Sequence, residues 1–299
     1  MNILITGAWN HWETSRTALE AMGHRIAFLQ QEKDDLPVPF EWVEGVICNG
    51  LFLHHDAEQF PNLKYVQLTS AGFDRIPAED LRARGILLHN ARGVYSAPMA
   101  EFALAGVLQL YKQSRFFAEN QRLHRWEKHR GLLELAEKTV CILGCGSVGT
   151  ACAKRFRAFD CRVVGVDLYP NENPYYDEMH PLTALDAVLS KADVVVLTLP
   201  LSNQTRHLMD AHRFAVTKAG AILVNIARGA VVDTDALISA LEGHLGGAVL
   251  DVFEEEPLQE SSPLWDMDRV ILTPHNSFVG DGNSARLARL ILENLERYA

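Results

Sequence analysis

The stretch VCILGCGSVG, Val140 to Gly149, decides the fold of this chain. A short apolar run is followed by three glycines, at the first, third and sixth places of GCGSVG (144–149). This order is typical of a strand that turns tightly into a helix, where the glycines allow close approach of backbone to a pyrophosphate and of helix to strand. A GxGxxG sequence also occurs in ordinary turns, so its neighbours in the sequence must decide between the two readings.

The strand RVVGVD (162–167), which follows the turn, favours a dinucleotide. It ends in Asp167, where an acid accepts hydrogen bonds from the adenosine ribose and repels a 2′-phosphate, so NAD is favoured over NADP. The helix that begins near Ser147 offers free N–H groups to the phosphates. The alternative is an aspartate that only caps its own turn. The predicted NAD site at this end of the sheet comprises Gly144, Gly146, Ser147, Val148, Gly149 and Asp167.

Further strand candidates around the turn indicate a doubly wound sheet. Apolar runs alternate with helix-compatible stretches, which predicts parallel strands with helices on both faces. Six strands are the number in a doubly wound dinucleotide-binding domain. The six candidates are TVCILG (139–144), RVVGVD (162–167), DVVVLTL (193–199), AILVNIA (221–227), GGAVLDVF (246–253) and RVILTP (269–274).

The residues before the turn form an α/β pattern of their own, and 299 residues exceed the usual size of a single hydrophobic core. Two domains are therefore expected. A helix-compatible segment from Ala97 to about Phe117 is interpreted as the crossing between them, and Asn283 to Tyr298 as a helix that returns to the first domain. The strand candidates of the first domain are NILIT (2–6), RIAFL (25–29), GVICN (45–49), KYVQL (64–68) and ILLHN (86–90).

Composition and charge exclude several classes of protein. The net charge of −10 argues against general nucleic-acid binding. No apolar run reaches the length of about 18 residues that a membrane helix needs, and the first residues lack the basic segment of a signal peptide, so we expect no membrane partner and a cytoplasmic location. The five cysteines show no CxxC pair and no metal-type spacing with histidine, so we predict reduced thiols and no metal site.

Three polar residues lie just past the ends of neighbouring strand candidates: Arg228, Glu256 and His275. Ligands of open α/β sheets bind beyond the carboxyl ends of the strands. Each residue also has an ordinary interpretation, because Arg228 suits a solvated strand end, Glu256 belongs to a run of three glutamates, and His275 is one of 12 histidines. Beside a nicotinamide site, however, these are the groups that the reduction of a 2-oxo acid requires.

The chemistry explains the choice of side chains. A guanidinium binds a carboxylate through paired, planar donors. The carbonyl oxygen gains negative charge as a hydride arrives, and imidazolium is able to supply the proton at neutral pH. A carboxylate on the other ring nitrogen orients the imidazole. In the reverse direction, the same histidine accepts the hydroxyl proton.

Seven motifs in order resemble the D-isomer-specific 2-hydroxyacid dehydrogenase family. They span nearly the whole chain: LTSAGFDRIP (68–77), AEFALAGVL (100–108), GCGSVG (144–149), LTLPLSNQTRHL (197–208), VNIARGAVVD (224–233), VLDVFEEEP (249–257) and TPHNS (273–277). The resemblance implies two doubly wound α/β domains, with a Rossmann NAD-binding domain (95–278) inserted in a flavodoxin-like substrate domain (1–94 and 279–299).

The resemblance also implies roles for individual residues. The implied catalytic set is Arg228 for binding and activating the substrate, His275 as acid and base, and Glu256 as the partner of the histidine. Backbone N–H groups around Ala71 and Gly72 would hold the substrate carboxylate, although SAG also suits an ordinary turn. Further implied cofactor-binding residues are Pro200, Thr205, Ala227, Asp251 and Ser277, of which Asp251 also suits a satisfied polar residue at the sheet edge.

The resemblance implies NAD as cofactor, small 2-oxo and D-2-hydroxy acids such as glyoxylate, hydroxypyruvate and pyruvate-like compounds as substrates, and a homodimer. The cofactor domain and the Ala97 to Phe117 region are the expected dimer contact. Two alternatives stay open: an NAD(H)-sensing regulatory protein of the same fold without turnover, and oxidation of phosphite or another donor that is not a carboxylate. A panel of 2-oxo acids assayed for NADH consumption separates them.

Overall fold

The computed structural model describes residues 1–298, and the chain divides into two compact units. One unit comprises Met1–Tyr95 and the residues from Gly280 onward, and the other comprises Ser96–Val279. The elements are, in chain order, β1 (Asn2–Thr6), α1 (Arg16–Ala21), β2 (Arg25–Leu29), β3 (Gly45–Cys48), β4 (Tyr65–Leu68), α2 (Ala78–Ala83), β5 (Leu87–His89), α3 (Ser96–Tyr111), α4 (Ser114–Arg122), β6 (Thr139–Leu143), α5 (Ser147–Arg157), β7 (Arg162–Asp167), β8 (Glu178–Pro181), α6 (Leu185–Leu189), β9 (Val194–Leu197), α7 (Ala211–Val216), β10 (Ile222–Asn225), α8 (Thr234–Gly243), β11 (Gly247–Leu250), β12 (Val270–Leu272) and α9 (Asn283–Glu296).

The first unit contains a parallel sheet of five strands in the order β2-β1-β3-β4-β5. This is the flavodoxin-like order, and it confirms the predicted fold class for this part of the chain. The apolar faces of the strands are buried because helices cover both sides, as expected for parallel sheets. On one side, Leu287, Ile291 and Leu295 of α9 pack into a core with Ile3 and Ile5 of β1.

The second unit contains a parallel sheet of seven strands in the order β12-β11-β10-β9-β6-β7-β8. The strand order reverses between β9 and β6, which is the doubly wound arrangement of a Rossmann domain and confirms the predicted class. The prediction of six strands was wrong by one, since β8 was missed. Its sequence, EMHP, is polar, partly exposed and ends in proline, as edge strands are, and it therefore lacks the apolar pattern of the other strands.

The register of β10, β11 and β12 aligns the ends of these three strands. Asn225 pairs with Leu250, and Leu250 with Leu272. The loops that follow the three strands therefore leave the sheet side by side at its carboxyl edge.

The helix-compatible segment from Ala97 to about Phe117 contains α3 and the start of α4. Gln113 adopts a left-handed conformation with φ 52° and so ends α3. Leu133 donates its N–H to the carbonyl of Tyr111 at 3.1 Å, and the Lys112 amino group donates to the Leu133 carbonyl at 2.7 Å. The later segment therefore occupies the end of α3, where a continuous helix would run. None of the helices in the described chain has the length and apolar character that crossing a membrane requires.

Candidate active site

The glycine turn joins β6 to α5 through backbone contacts that only glycine permits. Gly144 has φ +92°. A Cβ placed on Gly149 would lie 2.0 Å from the carbonyl oxygen of Gly144, whereas a Cβ on Gly146 would meet no atom within 4 Å. Gly149 thus allows α5 to begin directly against the turn, and the open space at Gly146 leaves the N-terminus of α5 accessible to phosphate groups. These residues fit the pyrophosphate of a dinucleotide.

Asp167, at the end of β7, is tied to the same turn. One carboxylate oxygen accepts a hydrogen bond from the Cys145 N–H at 2.6 Å, and the other accepts from the Tyr169 N–H at 3.0 Å. The aspartate therefore caps its own turn and also holds the centre of the glycine sequence against β7. A carboxylate has about four acceptor positions, so these two bonds leave capacity for ribose hydroxyls. Binding of the ribose by Asp167 stays a prediction.

The other predicted cofactor contacts differ in exposure. Pro200 is exposed in the loop after β9. Thr205 is fully buried in the same loop, where its hydroxyl donates to the Pro200 carbonyl at 2.7 Å and accepts from the Ser202 N–H at 2.8 Å. The geometry gives Thr205 a part in shaping the loop. Ala227 is also buried. Direct contacts of Pro200, Thr205 and Ala227 with the cofactor stay predictions.

Arg228 follows β10 in a loop that is held by Asn225. The Asn225 amide donates to the Arg228 carbonyl at 3.1 Å and accepts from the Ala227 N–H at 3.1 Å. Asn225 is 1% exposed, so a buried amide fixes the backbone from which the arginine extends. The Arg228 guanidinium is partly exposed and donates to the Ala227 carbonyl at 2.8 Å.

His275 and Glu256 form a hydrogen-bonded pair beyond β12 and β11. Nδ1 of His275 lies 2.9 Å from Oε2 of Glu256, and Oε1 of the same carboxylate accepts from the Phe253 N–H at 3.0 Å. A carboxylate only accepts hydrogen bonds, so Nδ1 carries the hydrogen and Nε2 is turned away from the glutamate. The imidazole is 41% exposed, which leaves it accessible to a substrate.

The loop that carries His275 is organised by a buried carboxylate. Asp251 is fully buried past β11, and it accepts from the Thr273 hydroxyl at 2.6 Å, the Asn276 N–H at 2.7 Å and the Ser277 N–H at 2.9 Å. Its carbonyl accepts from the His275 N–H at 2.8 Å. These bonds hold His275 in the left-handed conformation, φ 50°, that residues other than glycine rarely adopt. The predicted contacts of Asp251 and Ser277 with nicotinamide stay predictions.

The three consecutive glutamates have different partners, which the sequence does not indicate. Glu254 binds His207 and Thr234, Glu255 accepts from the Gln259 amide at 2.8 Å, and Glu256 binds His275. The run is therefore more than a solvated acidic surface. Neither the support of Arg228 by Asn225 nor the contacts of Glu254 were expected from the sequence, because a single polar residue at a strand end carries no signal of its partner.

Ala71 and Gly72 belong to the first unit, in the loop after β4. The Ser70 hydroxyl donates to the Gly72 carbonyl at 3.1 Å, and the Asn90 amide donates to the Ala71 carbonyl at 2.6 Å. The loop is thus held in one conformation by its carbonyl groups. Binding of a substrate carboxylate by the N–H groups of Ala71 and Gly72 stays a prediction.

Residues 104–277 match the family model described as "D-isomer specific 2-hydroxyacid dehydrogenase, NAD binding domain". A glyoxylate reductase of Thermofilum pendens is 36% identical over 244 residues, which cover 79% of this chain and 71% of that protein. A crystal structure of a D-isomer specific 2-hydroxyacid dehydrogenase family protein from Aeromonas salmonicida superposes with a TM-score of 0.86 at 32% identity, covering 99% of this chain and 94% of that one.

A second crystal structure, of a D-isomer specific 2-hydroxyacid dehydrogenase from Xanthobacter autotrophicus in complex with NADPH and MES, has a TM-score of 0.82 at 33% identity. It covers 99% of this chain and 94% of that chain. The matches confirm the resemblance found in the sequence, and they identify the β6–β12 sheet as part of an NAD-binding domain.

Proposed function

The chain belongs to the D-isomer specific 2-hydroxyacid dehydrogenase family, and from that premise we propose that it reduces small 2-oxo acids to D-2-hydroxy acids with His275, Glu256 and Arg228 as its catalytic set. The protein is an NAD-dependent oxidoreductase. The observation that carries the proposal is the 2.9 Å hydrogen bond between Nδ1 of His275 and Glu256. It occurs at the edge of the sheet where Arg228 also extends.

Each group has one part in the proposed reaction. Bound NADH supplies the hydride. Arg228 binds the substrate carboxylate and polarises the neighbouring carbonyl through its planar donors. His275 delivers a proton from Nε2 to the carbonyl oxygen as negative charge develops there. Glu256 keeps the hydrogen on Nδ1, so that Nε2 faces the substrate, and it stabilises the imidazolium before the proton is transferred.

The substitution His275→Gln tests the proposal. We expect the affinity for NADH, measured by fluorescence titration, to stay close to that of the wild type, while kcat falls by about 10²–10⁴-fold, as is typical for a lost general acid. His212→Gln is the matched control, because His212 is 67% exposed and pairs with a different carboxylate, that of Asp186. Unchanged turnover of His275→Gln contradicts the assignment. Tight NADH binding by a wild type without turnover favours the sensor alternative.

We propose glyoxylate, hydroxypyruvate and pyruvate-like compounds as the substrate class. Support comes from the similarity to a protein named glyoxylate reductase and from an arginine suited to a 2-oxo carboxylate. Steady-state kinetics with these acids, each with NADH and NADPH, rank the substrates and the cofactors. Phosphite with NAD⁺ belongs in the same panel, and turnover of phosphite alone contradicts the proposed class.

We also propose that the protein acts as a homodimer, formed through the second unit. The expected contact shifts from α3 to the residues after it, since Ala100, Ala103 and Val107 of α3 are buried in the core of their own unit. Trp126 is 97% exposed, and the Asn120 amide is buried without a hydrogen-bond partner in the described chain. Other exposed apolar residues nearby are Phe117, Leu123, Leu132 and Leu133.

Light scattering tests the proposed dimer. We expect the wild type to have the mass of two chains. The dimer of Trp126→Ser should dissociate into single chains at a higher protein concentration than the wild-type dimer does. Trp265→Ser is the control, because Trp265 is an exposed tryptophan elsewhere in the same unit. A wild type with the mass of one chain contradicts the proposal.

The location in the cell stays a proposal, and the cytoplasm is the compartment that we propose. All five cysteines are unpaired, and four of them are buried. Burial raises the pKa of Cys145, in the glycine turn, to about 12. The thiols therefore suit a reducing compartment as packing residues.

A further inference from the structure

Glu254 connects three segments of the second unit through one carboxylate. Oε2 accepts from the Thr234 N–H at 3.0 Å and from the Thr234 hydroxyl at 2.6 Å. Oε1 lies 2.5 Å from Nε2 of His207. The glutamate side chain is 28% exposed, and burial alone would raise its pKa. The hydrogen bonds from Thr234 and His207 outweigh burial, and the pKa lies below its ordinary value, so the group is ionised at neutral pH.

Each partner of Glu254 belongs to a different segment at the carboxyl edge of the sheet. His207 lies in the loop after β9 that contains Pro200 and Thr205, and its N–H donates to the Ala230 carbonyl at 2.8 Å. Thr234 begins α8, directly after the loop of Arg228.

The same loops also touch through their backbones. Gly229, next to Arg228, packs so closely that an added Cβ would lie 1.8 Å from the carbonyl carbon of Phe253. Phe253 in turn donates its N–H to Glu256 at 3.0 Å. The backbone that supports Glu256 therefore contacts the loop of Arg228 where Phe253 meets Gly229. The carboxylate of Glu254, next to Phe253, links the same two parts of the chain through its side chain.

We propose that Glu254 is a positioning residue, which with His207 and Thr234 holds the loop of Glu256 against the loop of Arg228. The inference rests on the proposed function where it concerns turnover. Its structural part, the control of the His275–Glu256 pair by Glu254, is measurable without turnover.

The geometry explains why the loss of Glu254 would affect chemistry more than binding. The bonds of Glu254 go to His207 and Thr234, so its removal frees the loop and leaves the His275, Glu256 and Arg228 side chains themselves intact. A displacement of about 1 Å at a reacting group lowers rates by about 100-fold. We therefore expect Glu254→Ala to lower kcat by about 10- to 100-fold while KM changes by less than about threefold.

Four variants form the test. Glu254→Ala removes all the bonds, and Glu254→Gln keeps an oxygen that accepts from Thr234, so it should recover part of the activity. Glu255→Ala is the matched control, since Glu255 is the next residue of the same run but binds only Gln259 in the described structure. His207→Asn serves as a second test should Glu254→Ala fold poorly. Asparagine tolerates the left-handed φ of 48° at this position, and it is too short to reach Glu254.

The tautomer of His275 provides a readout that is independent of turnover. A neutral imidazole that donates to Glu256 carries its hydrogen on Nδ1, whereas a released ring also takes the Nε2–H form. ¹⁵N-labelled histidine in long-range ¹H–¹⁵N spectra reports this ratio, and the loss of a signal in His275→Gln assigns it. We expect the Nδ1–H form of His275 in the wild type and in Glu255→Ala, and a shift toward Nε2–H in Glu254→Ala, with a smaller shift in His207→Asn.

The outcomes separate the two proposals. A shifted tautomer in Glu254→Ala with a normal control supports the positioning role, even if the wild type reduces none of the acids and the proposed function fails. A wild-type tautomer in both Glu254→Ala and His207→Asn overturns it, as does an equal loss of kcat in Glu254→Ala and Glu255→Ala. Loss of thermal stability with no change in kcat or tautomer also overturns it, because Glu254 is then only structural.

Discussion

The two ends of the seven-stranded sheet form their sites in different ways. At β6 and β7, the glycine turn owes its shape to missing side chains: Gly149 allows α5 to lie against Gly144, and Gly146 leaves open space. At β10, β11 and β12, the loops owe their shape to buried polar side chains, chiefly Asn225 and Asp251, which bind backbone groups. One end thus depends on backbone geometry and the other on a network of side-chain hydrogen bonds.

The difference affects how each end should respond to substitution. Close backbone contacts in the glycine turn fail when atoms are added, because there is no side chain to move aside. The polar network fails when a single acceptor is removed, since a buried N–H then lacks a partner. Gly229 combines both kinds of support, because it makes a close backbone contact within the polar loops.

The largest effect is expected for Gly229→Ala. The added methyl group would lie 1.8 Å from the Phe253 carbonyl carbon, and two backbone segments must separate to admit it. We expect the free energy of unfolding to fall by about 3 kcal/mol, the upper end of the usual range for overpacking, and turnover to be lost as the loops of Arg228 and Glu256 part. Urea unfolding and steady-state kinetics measure the two effects.

The control for that substitution is Gly243→Ala. Gly243 ends α8, and an added Cβ meets no atom within 4 Å, so stability should stay the same or rise slightly, because alanine favours helix. Equal free energies of unfolding for Gly229→Ala and the wild type would contradict the prediction. They would show that the backbone segments at Gly229 and Phe253 can move apart without loss of stability.

Asp251→Asn is expected to have the next largest effect. An amide replaces one acceptor oxygen with a donor, so one or more of the Thr273 hydroxyl and the Asn276 and Ser277 N–H groups lose their partner in a buried place. The expected loss is about 1–3 kcal/mol in unfolding free energy, with a lower kcat because the loop holds His275. Asp268→Asn, whose carboxylate is 88% exposed, is the control and should unfold like the wild type.

The same contrast explains what the sequence predicted and what it did not. The glycine turn was predictable because its residue types are themselves the structural requirement, and the positions of Arg228, Glu256 and His275 beyond strand ends were predictable because each follows an apolar strand. Their supports were not, since a hydrogen bond between Asp251 and Ser277 joins residues far apart in sequence. For the same reason the edge strand β8 was missed: its pairing with β7, and not an apolar pattern, makes it a strand.

Asp167→Asn tests the glycine end by cofactor choice. Removal of the carboxylate charge should weaken the discrimination against a 2′-phosphate while the amide oxygen still accepts from the Cys145 N–H. We expect the ratio of NADPH to NADH dissociation constants, from fluorescence titration, to fall by about tenfold, or about 1.4 kcal/mol. Asp160→Asn removes the same charge near the opposite end of β7, at an exposed residue, and should leave the ratio unchanged. An unchanged ratio in Asp167→Asn would show that Asp167 only stabilises its own turn and does not select the cofactor.

The smallest effect concerns Glu254 and the pH dependence of stability. Burial would raise its pKa, but the hydrogen bonds from Thr234 and His207 lower it below the ordinary value of 4.5. The unfolded chain therefore takes up this proton first as the pH falls, and the stabilisation, complete above pH 4.5, is lost as the pH falls through the lowered pKa. The difference in unfolding free energy between the wild type and Glu254→Gln, less than about 1 kcal/mol for one partly exposed group, should shrink as the pH falls below about 4.5. Urea unfolding across this range measures it. A difference that persists at the lowest pH would show that the polar loops depend on the shape of Glu254 and not on its charge. These loops would then resemble the glycine turn, whose structure depends on the fit of neighbouring groups.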